Sequence, residues 1–213
     1  MTRKKTCCSV PAGTPCPAAD KLRAWLASGA KKRLTLYPGD FADKEFSLTT
    51  LLFSGPLPER LAQRWRSFCA YMGRFTPFVG WKVFWFVRAG VTIGENVFIS
   101  PGVTLDLLFP QLITLEDGAV LGMEAMVVAH VYTPDRIVIS RVVAGRRSLV
   151  GGKAILAITR IGEEGVLAAN SYTVTPIPAG QVGIGVPAIV KKRKTEIAGE
   201  HSGGGGENDD QRE

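Results

Sequence analysis

VTIGENVFISPGVTLD, residues 91–106, decides the fold. Ile93, Ile99 and Leu105 recur six apart in it, and Val91, Val97 and Val103 stand two positions before each. A helix returns to the same face about every 3.6 residues and a strand at every second one, so neither accounts for a period of six. A hexapeptide period is the pattern of a β-helix, in which each six-residue unit forms one flat side of a coil. The count resumes at Leu115, Leu121 and Val127, preceded by Ile113, Ala119 and Ala125. It returns at Ile161, Leu167 and Thr173, preceded by Thr159, Gly165 and Ser171.

The breaks in the count are as informative as the count. LLFPQ, 107–111, separates the first two runs, and AHVYTPDRIVIS, 129–140, follows the second. Ile161 lies eleven residues beyond Val150 where two full units would take twelve, so one coil is a residue short near Ala157. Glycine is expected at the corners, because a tight turn favours positive φ. The prolines of TPIPAGQVGIGVPAIVKKRK, 175–194, are expected to end the coil, with a short helix after them.

Outward from the repeat, the chain divides into four expected segments. Residues 1–57 form an N-terminal extension, partly disordered, with a short helix over 20–30 for which Asp20 is the N-cap. Residues 58–90 form a helical segment capping the coil. In it PERLAQRWRSFCAYM, 58–72, carries the apolar stripe Leu61, Trp65, Phe68 and Met72, and PFVGWKVFWFVRAG, 77–90, ends at Gly90. The β-helix occupies 91–190, and 191–213 is a basic run followed by a disordered acidic tail. The aromatic residues of 77–88 admit two readings. They cover the open end of the coil, as terminal repeats require, or they make a weak membrane-surface contact aided by Lys82 and Arg88.

Composition narrows the classes. Of the 213 residues, 46% are hydrophobic, enough for a core, and no apolar run approaches the roughly 18 residues of a transmembrane helix. The N-terminal basic residues are followed by no sustained apolar stretch, which argues against a secretory signal and for a cytoplasmic protein. Cys7, Cys8, Cys16 and Cys69 lack the paired spacing of a zinc site, and the first three read as unpaired thiols in a mobile tail. The net charge of +7 is uneven, with eight basic residues before residue 37 and a second run at 191–194. No nucleic-acid module accompanies it, so no nucleic-acid partner is expected.

Two histidines exist, and His201 lies in the tail. His130 sits where the repeat breaks, on an insertion that projects from a coil corner. A protruding loop on a rigid coil is a natural place for a group that accepts a proton near neutrality. Asp106, at the end of the first run, either orients His130, binds an acceptor hydroxyl or caps a turn. No GxSxG elbow or coil cysteine offers a nucleophile.

Taken together, 91–106, ITLEDGAVLGMEAMVVAH (113–130), VGGKAIL (150–156), RIGEEGVLAANSYTVT (160–175) and GIGVPAIVKK (183–192) resemble the bacterial hexapeptide-repeat acyltransferases. The likeness is to their maltose and galactoside O-acetyltransferase-like branch, over roughly 80–194. It implies an all-β, left-handed parallel β-helix, a homotrimer with sites between subunits, and acyl transfer from acetyl-CoA without metal. The acceptor it implies is a hydroxyl of a sugar or similar small molecule. By the same resemblance His130 is the general base. Gly151, Gly152, Ala169 and Ser171 line the donor groove, and Lys191 and Lys192 meet the donor's phosphates. Where many members carry an aromatic residue against the pantetheine, this chain has Leu149. A silent trimeric scaffold is the competing reading. A carbonic-anhydrase-like zinc site would need three histidines, and the repeat has one.

Overall fold

The computed structural model describes residues 16–29, 32–41, 46–53 and 55–192. The expectations for Cys7, Cys8, His201 and the acidic tail lie outside these residues.

Three residues of the N-terminal segment form β1 (Leu34–Leu36). The first coil is then β2 (Thr92–Ile93), β3 (Phe98–Ile99) and β4 (Thr104–Leu105). The second is β5 (Ile113–Leu115), β6 (Val120–Leu121) and β7 (Met126–Val128). A hairpin of β8 (His130–Thr133) and β9 (Arg136–Ile139) follows. The third coil is β10 (Val142–Ala144), β11 (Leu149–Val150) and β12 (Ile155–Ala157). The fourth is β13 (Arg160–Ile161), β14 (Val166–Leu167) and β15 (Tyr172–Thr173), and the chain ends in β16 (Gln181–Ile184) and β17 (Ile189–Lys192).

Parallel pairing stacks these coils into three faces: β2-β5-β10-β13, β3-β6-β11-β14-β16, and β4-β7-β12-β15. The register aligns the six-residue count itself. Ile93, Leu115, Ala144 and Ile161 stand in one row, Ile99, Leu121, Val150 and Leu167 in the next, and Leu105, Val127, Leu156 and Thr173 in the third. Eleven of these twelve side chains are buried, and Ile93 is half-buried at the open end. Burying each aliphatic one contributes about 1.5–3 kcal/mol, which is why the period specifies the fold. The missing residue falls between Leu156 and Ile161, where Ile158 takes a left-handed φ of 49°.

Four local expectations are corrected. The corners use positive φ, with glycine there at Gly102 and Gly118 as expected, but at Asn96, Glu124, Arg147, Lys153, Glu164 and Asn170 the residue is not glycine. Glycine instead follows the inward aliphatic, at Gly94, Gly122, Gly145, Gly151 and Gly162, where a Cβ would strike the next coil; at Gly145 it would lie 2.6 Å from the Ile161 carbonyl. Second, the coil continues past Val174. Ile177 bridges to Ile161, β16 adds to the second face, and β17 folds back antiparallel to it as a strand where a helix was expected. Third, α1 (Pro17–Ala27) starts three residues early, with Cys16 at its N-cap and Asp20 inside its first turn. Cys16 is buried in the main core, so it is not a tail thiol.

The fourth correction concerns the helices after α2 (Leu48–Phe53). α3 (Leu57–Phe75) and α4 (Val79–Ala89) pack through small residues, Cys69, Ala70 and Ala89, with Gly73 against the Phe86 ring. α4 closes the first coil with Phe86, which is fully buried in the coil's own core, and Gly90 ends it at φ 99°. The expected stripe of α3 does not face inward: Leu61, Trp65 and Phe68 are all exposed. Close helix approach selects small residues for the contact and leaves the large ones outside.

Candidate active site

Asp106 follows β4, and Ala129 and His130 follow β7 one coil above, at the corner between the third and first faces. The chain leaves the coil there because β8 and β9 pair antiparallel from His130–Ile139 to Thr133–Arg136. The Ser140 N–H closes the base of this hairpin on the Ala129 carbonyl at 2.9 Å. β1 adds a third strand against β9, with Leu36 opposite Ile137. Tyr132 stacks on Phe46 at 5.6 Å and donates its hydroxyl to the Phe46 carbonyl at 3.1 Å. The N-terminal segment therefore holds the histidine hairpin in place, which its composition did not suggest.

Asp106 is a buried carboxylate with four donors. Its Oδ1 accepts the N–H groups of Leu108 (2.8 Å) and Phe109 (3.0 Å), and its Oδ2 accepts the Ala129 N–H (2.7 Å) and His130 Nδ1 (2.6 Å). It thus caps a turn and orients His130 at once. Burial alone would push its carboxyl up, but the His130 ring and the backbone donors of Phe109 and Ala129 outweigh that and hold it below the usual carboxylate range. A carboxylate can only accept, so the ring proton sits on Nδ1 and Nε2 carries the free lone pair. The His130 side chain is 19% exposed. Phe109 packs edge-on against its ring, with centroids 5.6 Å apart. Fixed on one edge by Asp106 and on one side by Phe109, the imidazole is held in one orientation, with Nε2 the ring nitrogen left able to accept a proton.

Phe109 and the backbone donors were not singled out from the sequence, where LLFPQ counted only as an interruption. The signal was present in Asp106 itself, an Asx residue followed by a non-repeat turn. Behind Phe109 a cleft of about 420 Å³ opens between α1, α2 and α3, with Arg23, Gln63 and Arg66 on its wall.

Of the residues expected to bind the donor, Gly151, Gly152, Ala169 and Ser171 lie at a different corner, between the second and third faces, whereas Lys191 and Lys192 lie at the far end of the second face, beside Val182 and Gln181. Gly151 is buried with its Cα against the backbone of Ala168 and Ala169, and Gly152 is partly open. Ala169 is exposed. The Ser171 hydroxyl accepts the Gly185 N–H at 2.9 Å and so anchors the turn between β16 and β17. Lys191 and Lys192 are exposed on β17. Leu149 projects outward from the second face in one row with Phe98, Val120, Val166 and Val182. On the third face the row runs Thr104, Met126, Ile155 and Tyr172, apolar beyond its first member, whereas the first face carries Thr92, Thr114, Val143 and Arg160. Among the described residues no group of three or more His, Cys, Asp or Glu could hold a metal ion.

Comparison with known proteins agrees with this architecture. No family model matches the chain. YvoF of Bacillus subtilis (strain 168), whose own designation as an acetyltransferase is provisional, is 26% identical over 129 residues, 59% of this chain and 74% of its own. A hexapeptide-repeat acetyltransferase from Vibrio cholerae, solved with acetyl coenzyme A, superposes with a TM-score of 0.54 at 18% identity, over 65% of this chain and 90% of that one. A galactoside acetyltransferase solved with coenzyme A gives a TM-score of 0.54 at 15% identity, over 83% of this chain and 90% of that one. The fold is that of the hexapeptide-repeat acetyltransferases.

Proposed function

We propose that this chain, a hexapeptide-repeat protein of the acetyltransferase fold, transfers an acetyl group from coenzyme A to a hydroxyl of a small acceptor, with His130 as general base. The observation that carries the reading is the 2.6 Å contact between His130 Nδ1 and the buried Asp106. It leaves Nε2 to take the proton of the acceptor hydroxyl as that oxygen attacks the thioester carbonyl. The carboxylate offsets the positive charge the ring acquires. When the tetrahedral intermediate collapses, the carbon–sulfur bond breaks and the imidazolium returns its proton to the departing thiolate. The products are an O-acetyl ester and free coenzyme A.

A carbohydrate acceptor is favoured by the galactoside acetyltransferase among the structural neighbours. Donor contacts are assigned to Gly151, Gly152, Ala169 and Ser171, with Lys191 and Lys192 toward the phosphates. Gly151, Gly152, Ala169 and Ser171 occupy one corner of the chain and His130 another. Two apolar outward rows, on the second and third faces, suit burial against further copies. Both points support a homotrimer whose sites form between neighbouring subunits. A cytoplasmic location fits the donor and the free, buried thiols of Cys16 and Cys69.

The test is release of thiol from acetyl-CoA across a panel of sugars and alcohols. Acceptor-dependent release by the assembled protein is expected. The absence of release above background with every acceptor would leave a silent scaffold as the better reading.

A further inference from the structure

The helical pair α3–α4 carries more apolar surface than the cap requires. Its inner side closes the coil through Phe86. Its outer side displays Leu61, Trp65, Phe68, Tyr71, Phe75, Phe78, Trp81 and Phe84, each between 48% and 70% exposed. These side chains form one surface across both helices, since Trp65 lies 5.9 Å from Phe68 and Phe68 meets Trp85 edge-on at 6.1 Å. At the tip of the pair, Met72, Phe75, Phe78, Trp81 and Trp85 line an apolar hollow of about 470 Å³.

Charge identifies the occupant. Residues 57–89 hold one acid, Glu59, and six basic residues; of these Lys82, expected from the sequence to aid a membrane contact, is buried, which leaves Arg60, Arg64, Arg66, Arg74 and Arg88. Glu59 is already engaged by Arg23 at 3.0 Å. Arg74 and Arg88 are exposed and lie over the rings of Phe75 and Phe84 at 5.5 and 5.1 Å, so cations sit at the level of the outer aromatic rings. Exposed tryptophan and phenylalanine with arginine beside them match the boundary between acyl chains and anionic headgroups. Among the described residues no helix is long and apolar enough to cross a membrane, so the contact is one of lying on the surface.

We propose that the outer face of α3–α4 docks the protein on an anionic lipid bilayer, with Trp65, Phe68, Phe78 and Trp81 entering the interface and Arg74 and Arg88 meeting lipid phosphates. The coil then stands away from the bilayer, end-on, with His130 one coil above the docked end. This surface is distinct from the His130–Asp106 site and stands whether or not the catalytic reading does.

The test is flotation of the full chain with vesicles of phosphatidylcholine alone and of phosphatidylcholine with phosphatidylglycerol. Binding to the anionic vesicles, reversed by high salt, with a blue shift of tryptophan emission, is expected. Trp65→Ser/Trp81→Ser should abolish flotation, and Arg74→Gln/Arg88→Gln should weaken it roughly tenfold or more. Both variants should keep wild-type circular dichroism and wild-type acetyl transfer to a soluble acceptor. No flotation with either vesicle, or undiminished flotation of the tryptophan variant, would overturn the proposal. So would self-association without lipid that Trp65→Ser/Trp81→Ser removes, which would make a second copy the occupant.

Discussion

Asp106 holds more of the site together than any other residue, because both its oxygens are saturated by donors from two coils. Asp106→Asn keeps the shape but presents an amide to the ring, which no longer fixes the proton on Nδ1. Turnover should fall roughly 10²- to 10⁴-fold, read as kcat for thiol release. The same carboxyl makes an acid-sensitive contribution to stability. Its folded-state value is below the ordinary 3.8, so the unfolded chain binds the proton more readily. The contribution is complete above that ordinary value and is lost as pH falls through the folded one. Acid unfolding of Asp106→Asn should therefore be less steep than that of wild type in this range. Lys82 is the opposite case. It is buried in α4 and its Nζ meets no partner among the described residues, so burial pushes its ammonium down. Lys82→Met should raise unfolding stability by roughly 1–2 kcal/mol in a denaturant titration.

At the scale of the element, the repeat was legible and its corners were not. Hydrophobic period reports which side chains point inward, and it placed Leu115, Leu121 and Val127 in their rows without help from the structure. It is silent on why a glycine recurs beside them. Gly145 is needed for coil-to-coil distance, whereas Asn96 merely tolerates a left-handed φ of 53°. Gly145→Ala should cost about 1–3 kcal/mol by overpacking, and Asn96→Gly should change stability by less than about 1 kcal/mol. Thermal unfolding of the two variants separates these roles. The helices show the same limit: both form where expected and Gly90 ends the second, but period alone does not say which way a stripe faces. Periodicity located the apolar stripe of α3, but the close approach of Gly73 to Phe86 put that stripe outside.

At the scale of the molecule, the site depends on pieces far apart in the sequence. His130 was legible as the one histidine in a broken repeat. Asp106 was legible only as a residue with three open roles, because a pairing across one coil is a fact of register. The support from β1, Phe46 and Phe109 was not legible at all, since nothing local marks a three-residue strand as the partner of a distant hairpin. The same stacking that lifts Ala129 onto Asp106 leaves Nε2 as the open nitrogen. The most direct test is kcat for thiol release from acetyl-CoA by His130→Ala, at a saturating level of an acceptor that wild type uses. A fall of roughly 10²-fold or more, with wild-type circular dichroism, is predicted. A kcat equal to that of wild type would contradict the assignment of His130 as the base.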